Sequence, residues 1–225
     1  EVFNHGADFL SSAPSAASPA ALPHRSPLRA HLHGSKGNSD FAASLIARTL
    51  PGQANVMRVA DMSVRPCNAC GVCDSMPGRC TLDGYTVQPT DPKAPLPSMD
   101  GAKALFAALA GGPVSFVVSP IYYYHIPAQA KAWVDRAQRW WAMNGETPAK
   151  GKALACVFIS GRTNGERLFE GAELTMRWMA RTLGMEWLEP LHLRGLEVSS
   201  DLADSPELQA SVSYYTAKVL AGLPR

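Results

Sequence analysis

Short apolar runs alternate with longer stretches of helical periodicity through most of this chain, and that alternation is the signature of βαβ units feeding a parallel sheet. Five strands are expected, over residues 28–33, 54–60, 113–119, 152–159 and 185–193. Helices fill the gaps. The one after the first strand sets Phe41, Ala42, Leu45, Ile46 and Leu50 on one side, and the one after the third does the same with Ile126, Ala130, Trp133, Val134, Ala137 and Trp141, both near the 3.6-residue period. Two more helices are expected over about 166–183 and 205–220, the last closing the sheet.

The 225 residues suffice for one core of ordinary domain size with an extended arm. Residues 1–27 read as that arm, because Ser, Ala and Pro dominate from position 11 and Pro14, Pro19, Pro23 and Pro27 each interrupt regular structure. The domain then occupies 28–225. A second proline-rich stretch over 86–97, with Pro89, Pro92, Pro95 and Pro97, is expected as a surface excursion. Apolar residues at 46% and charged ones at 18% are the balance of a globular enzyme. No apolar run approaches the roughly 20 residues that span a bilayer, and no charged segment followed by an apolar one opens the chain as a secretory leader would. A net charge of +2 without a basic stripe makes nucleic acid an unexpected partner.

The first strand runs through Gly34-Ser35-Lys36-Gly37-Asn38-Ser39 into the first helix. Unpaired N–H groups and the helix dipole favour an anion there, and Ser or Asn side chains add hydrogen bonds. The spacing matches neither a nucleoside-triphosphate loop nor a dinucleotide fingerprint, so a monophosphate such as that of FMN is the better guess. The plainer alternative is that Asn38 or Ser39 merely caps the helix.

Four of five cysteines fall in Cys67-x2-Cys70-x2-Cys73-x6-Cys80. This compact set fits a tetrathiolate iron–sulfur cluster better than zinc, whose paired knuckles lie further apart, while free thiols or a redox disulfide stay open. Such clustering is that of a reducing compartment. Cys156 falls in an expected buried strand and reads as core.

Segments 34–39, 66–80 and 119–136 occur in the order and spacing of one family. Over about residues 28–195, and most closely in Ser119-Pro120-Ile121-Tyr122 followed by Pro127, Gln129, Lys131, Val134, Asp135 and Arg136, the chain resembles the NADPH-dependent FMN reductases and, more narrowly, the iron–sulfur flavoproteins. The resemblance implies a flavodoxin-like α/β three-layer sandwich with a five-stranded parallel sheet. It further implies that Ser35, Lys36, Asn38 and Ser39 hold the FMN phosphate, that Pro120, Ile121, Tyr122 and Tyr123 line the isoalloxazine, and that Ser160, Gly161 and Arg162 form a third flavin loop. Cys67, Cys70, Cys73 and Cys80 are the implied ligands of a [4Fe–4S] cluster. The family's usual Pro-Arg after the Gly-Ser of the phosphate loop is missing, and Asp83-Gly84 stands where an acidic pair often follows the fourth cysteine.

The implied activity is FMN-dependent NAD(P)H oxidoreduction, with NADPH or NADH as donor and a quinone, flavin or redox protein as acceptor. The flavin carries the chemistry and no side chain serves as nucleophile. A homodimer or homotetramer in the cytoplasm is implied as well. The rival expectations are an electron carrier without its own small-molecule substrate and a cofactor-free zinc-binding or regulatory module. Among other residues, Tyr122 is expected at the flavin, Trp140 and Trp141 one in the core and one at an interface, and His31 and His33 in packing roles. His125 is a candidate for substrate or proton contact.

Overall fold

The computed structural model describes residues 26–29, 37–52, 54–84, 100–141, 143 and 147–223. Strands β1 (Ser26–Arg29), β2 (Met57–Arg58), β3 (Val114–Pro120), β4 (Ala153–Ile159), β5 (Glu186–Trp187) and β6 (Leu191–Leu193) form one sheet. Its order is β2-β1-β3-β4-β5, with β6 on the same edge of β4 as the continuation of β5, and every pairing is parallel. Helices are α1 (Asn38–Thr49), the single turn α2 (Val72–Ser75), α3 (Gly101–Ala110), α4 (Ala128–Asp135), α5 (Glu170–Thr182) and α6 (Pro206–Ala221). This is the flavodoxin-like α/β sandwich.

β3 and β4 are apolar at nearly every position because both their faces are covered. Phe116 and Val118 of β3 join Ala155, Val157 and Ile159 of β4 under α1 and α6. On the opposite face Val117, Leu154, Cys156 and Phe158 meet α3, α4 and α5, with Trp133 wholly buried. Cys156 is core, and burial pushes its thiol far above the ordinary range. Strand order reverses between β1 and β3, so the chain leaves those two neighbours in opposite directions and opens a crevice beyond their carboxyl ends.

Three expectations need correction. β1 starts at Ser26, so Pro27 lies inside the sheet, paired with Phe116 of β3, while the pairing with β2 begins only at Leu28. The remaining expected positions, 30–33 with His31 and His33, lie outside the described residues, as do 1–25 and 85–99.

The expected last strand is two pieces. β5 pairs Ala153 with Glu186, whereas β6 pairs Val157 with Leu191, so one extra residue is taken up across Leu188-Glu189-Pro190, where Pro190 has no N–H to give the ladder.

Trp141 is 59% exposed rather than buried. After Asp135 the chain tightens into a 3₁₀ helix, Arg136–Trp140. The change from 3.6 to 3.0 residues per turn swings later positions off the apolar stripe and aligns positions three apart. Arg136 and Arg139 are thereby turned inward and Trp141 outward, while Trp140 is half-buried edge-on to Phe106 at 4.6 Å.

Candidate functional site

Beyond the carboxyl ends of β1, β3 and β4 lies an open pocket of ≈ 790 Å³. Its first wall is the tip of α1, with Gly37, Asn38 and Ser39. Gly37 is the N-cap and has no side chain to cap with. The first-turn N–H groups are thus left to an external acceptor. The Asn38 side chain is engaged elsewhere: its Nδ2 donates to the carbonyls of Val198 (2.8 Å) and Leu196 (3.3 Å), and its Oδ1 accepts from Leu202 N (2.9 Å). Its amide is a tie between α1 and the loop after β6, so it can offer an anion its backbone N–H rather than its side chain. Asp40, buried in the same turn, has its charge met by Arg58 at 3.6 Å. Ser35 and Lys36 lie outside the described residues.

The second wall is the loop leaving β3, and Pro120, Ile121, Tyr122 and Tyr123 all line the pocket. Ile121 N is bonded to Ile159 O (2.8 Å), so the loop leaves the sheet in register with β4. Tyr122 and His125 then exchange both backbone hydrogen bonds (2.8 and 3.0 Å) around a two-residue turn. Its central residues, Tyr123 (φ 48°) and Tyr124 (φ 63°), are left-handed, a conformation that costs bulky side chains about 1 kcal/mol or more each. Such strain persists where surroundings fix it. Here α5 lies against the turn: a Cβ on Gly171 would stand 2.8 Å from the Tyr124 carbonyl oxygen, so only glycine allows that approach. His125 anchors the other side, its Nδ1 accepting from Ile126 N and its Nε2 meeting Thr175 Oγ1, both at 2.9 Å. His125 is therefore a structural prop and does not line the pocket. Tyr122 is half-buried, and burial pushes its phenol up, keeping it protonated. Tyr123 stands fully exposed at the mouth.

The third wall is Ser160, Gly161 and Arg162 after β4. Ser160 Oγ accepts from Arg162 N (3.1 Å), and Arg162 Nη1 donates to Tyr124 Oη (2.7 Å), tying this loop to the tyrosine turn. A fourth wall, Leu196, Glu197 and Ser199, with Leu168 before α5, is absent from the sequence-based set. The signal for it was positional: the segment follows the last strand at the edge where ligands sit. A Cβ on Gly161 would meet Glu197 Cα at 3.2 Å, which is how closely these two walls approach.

A second pocket, of ≈ 300 Å³, is lined by Cys67, Cys70, Cys73 and Cys80. The loop carrying them has one helical turn and little else, so ion pairs hold it. Fully buried Arg136 donates to Asp100 (2.8 Å), Asp83 (3.0 Å) and the Arg65 carbonyl (3.1 Å), and Arg139 joins it on Asp83. Burial alone would lower the Arg136 pKa; the hydrogen bond and charge of Asp100, and then Cys80, outweigh it and raise it. Asp100 also caps α3 through Ala102 N and receives Arg65 N. Asp83-Gly84 thus has its role here, as a post beneath the cysteine loop. The hydrogen bond with Thr81 Oγ1 lowers the Cys70 pKa, whereas burial raises that of Cys73. Among the described residues no three His, Cys, Asp or Glu side chains are placed to share one ion, and no helix is long and apolar enough to cross a membrane.

Solved structures share this fold at low identity. An NAD(P)H:quinone oxidoreductase from Methanothermobacter marburgensis superposes with a TM-score of 0.59 at 17% identity, over 88% of this chain and 94% of that one. An FMN-dependent NADH-azoreductase from Bacillus anthracis, solved with FMN, gives 0.57 at 12%, over 88% and 99%. An NADH:FMN oxidoreductase gives 0.56 at 11%, over 90% of each chain. No curated protein matches the sequence. The family model described as a flavodoxin-like fold matches residues 84–219, well over half of the chain, and the protein belongs to this flavodoxin-like family.

Proposed function

We propose that the protein is an FMN-dependent NAD(P)H oxidoreductase of the quinone-reductase type. The observation that carries the reading is the ≈ 790 Å³ pocket itself, which joins an uncapped helix tip to an aromatic turn and a serine-glycine-arginine loop at the point of strand reversal. The quinone, azo and flavin reductases that share the fold give this reading its chemistry.

The N–H groups of Asn38 and Ser39 would hold the phosphate, helped by Ser35 and Lys36. Ile121, Tyr122 and Tyr123 would flank the ring system. Bound FMN would supply two-electron transfer from a nicotinamide to an acceptor. The chain's own part is positional. The tyrosine turn is fixed by Gly171, His125 and Arg162, so its backbone N–H groups are oriented before any ligand arrives. Tyr122, protonated and half-buried, keeps an O–H to donate, and it brings no negative charge near an electron-rich ring. Tyr123 supplies an aromatic face at the mouth, where a planar acceptor stacks.

The four cysteines fit the second part of the proposal, a [4Fe–4S] cluster, in chemical kind: four thiols border one pocket beside the guanidiniums of Arg136 and Arg139, which suit an anionic group. A zinc ion needs its donors around one point at about 2.3 Å. A cluster takes one thiolate at each of its irons, and four cysteines in one short loop supply that number.

Titration of the purified chain with FMN tests the main reading. Quenching of flavin fluorescence and a raised melting temperature are expected, followed by NADH or NADPH oxidation when a quinone is added. Absence of quenching with excess FMN overturns it. Binding with no turnover on either nicotinamide favours the electron carrier. Anaerobic iron analysis tests the cluster, with about four irons per chain expected.

A further inference from the structure

We infer, building on the flavin reading, that Arg162 selects the substrate that stacks at the mouth of the larger pocket, and that this substrate carries an anionic group beside its planar ring. Among the described residues two charged side chains line that pocket, Arg162 and Glu197, and they stand on different walls. Glu197 lies over Gly161, between Leu196 and Val198, whose carbonyls are held by Asn38 at the tip of α1. Arg162 reaches instead to the tyrosine turn. Its Nη1 donates to Tyr124 Oη at 2.7 Å, and its guanidinium carbon is 5.8 Å from the centre of the Tyr124 ring. Its backbone N–H is fixed as well, on Ser160 Oγ. The cation is thus in place before a ligand arrives, which spares the cost of ordering a long side chain on binding.

The charge is also uncompensated. Arg58, Arg136, Arg139, Arg167 and Arg177 each meet a carboxylate, whereas no carboxylate among the described residues pairs with Arg162. Its acceptor is a hydroxyl, which occupies one end of the guanidinium fork. Such a fork binds a carboxylate, sulfonate or phosphate through parallel N–H···O bonds. Beside it Tyr123, fully exposed and held left-handed in its turn, offers a ring face at the same mouth. Stacking on Tyr123 with an anion on Arg162 is the combination that these two side chains recognise together. Either substrate of the proposed reaction can supply it: a nicotinamide dinucleotide carries a pyrophosphate, and a quinone can carry an acidic substituent.

Steady-state kinetics of the flavin-loaded wild type and Arg162→Gln, with two pairs of probes, test this. One pair is naphthoquinone sulfonate and naphthoquinone, both reduced with NADH. The other is NADH and the uncharged N-benzyl dihydronicotinamide, both oxidised with naphthoquinone. Comparison within a pair cancels differences in flavin content, and comparison of the two proteins cancels the intrinsic reactivity of the probes. The preference in kcat/KM for the anionic member of at least one pair should fall by about tenfold or more in Arg162→Gln. A fall in the quinone pair assigns the anion to the acceptor, and a fall in the dihydronicotinamide pair assigns it to the donor. Added salt should shrink the same preference in the wild type, because the cation is exposed, and this readout needs no variant to fold. Preferences that are equal in the two proteins for both pairs, or that do not respond to salt, overturn the inference and leave the flavin reading standing. A wild type that does not quench FMN removes both.

Discussion

The two pockets of this molecule are held in opposite ways. The larger one is built from ends of regular elements: β3, β4, β6 and α1 each deliver a few residues to one edge, and hydrogen bonds such as those of Asn38 and Ile121 fix them to the sheet. Among the described residues no strand lines the cysteine pocket. Its loop hangs on Arg136 and Arg139, which reach out from a tightened helix end to Asp83 and Asp100. A site on a sheet edge inherits its shape from the core, whereas one on ion pairs depends on a few charged atoms.

The largest effect should come from those atoms. Asp100→Ala removes the α3 cap and the closer of the two carboxylates paired with the buried Arg136, and urea unfolding should show a loss of about 3–5 kcal/mol. A loss under about 1 kcal/mol would mean that the cysteine loop has other support. Asn38→Ala leaves two carbonyls and one N–H without their partner, so about 2–3 kcal/mol is expected by the same measurement. FMN should bind this variant more weakly, since the loop after β6 is released with it. Equal affinity would separate the fourth wall from the site.

Smaller and of opposite sign is Tyr123→Gly, which relieves a left-handed residue and should raise stability by up to about 1 kcal/mol. If the ring also stacks an acceptor, quinone turnover falls while the melting temperature rises.

The smallest effect concerns thiol chemistry. A lowered pKa leaves Cys70 more of its thiolate at a given pH, and a raised one leaves Cys73 less. In the iron-free protein, iodoacetamide followed by peptide mapping should therefore label Cys70 first, its rate falling only at more acidic pH, and label Cys73 as pH is raised. In protein that carries iron, slow labelling of all four, relieved by iron removal, is expected of cluster ligands, and fast labelling of Cys70 there would speak against the cluster.

What was legible in the sequence follows the same division. β3 and β4, the stripes of α1 and α4, and the loops after the strands could be read because apolar periodicity reports burial directly. The described residues that the family resemblance implied for the site, Asn38, Ser39, residues 120–123 and Ser160, Gly161 and Arg162, line one pocket at the ends of those strands. Ion pairs leave no such mark. Nothing local in Asp83, Asp100 or Arg136 announces that they meet, and the 3₁₀ turn that brings the arginines inward exposes Trp141, whose spacing fits a continuing α-helix. Asn38 reads as a phosphate donor because its type and position suit one; that its amide ties down a loop over 150 residues away is a tertiary fact.

The extra residue at 188–190 has a geometric consequence. From Glu186 to Leu191 the edge takes five steps where β4 takes four, from Ala153 to Val157, so the extra residue holds Leu191 opposite Val157 rather than Phe158, one position or about 3.3 Å back along the sheet. It also reverses the alternation of side chains, so that Trp187 packs on the face of α3, α4 and α5 and Leu191 on the face of α1 and α6. Deleting one residue there would straighten the edge strand and still leave Leu191 opposite Val157, so β6 and Glu197 beyond it would keep their places. The fourth wall of the crevice is thus set by the ladder of β6 on β4 and insulated from changes of length at the far rim of the sheet.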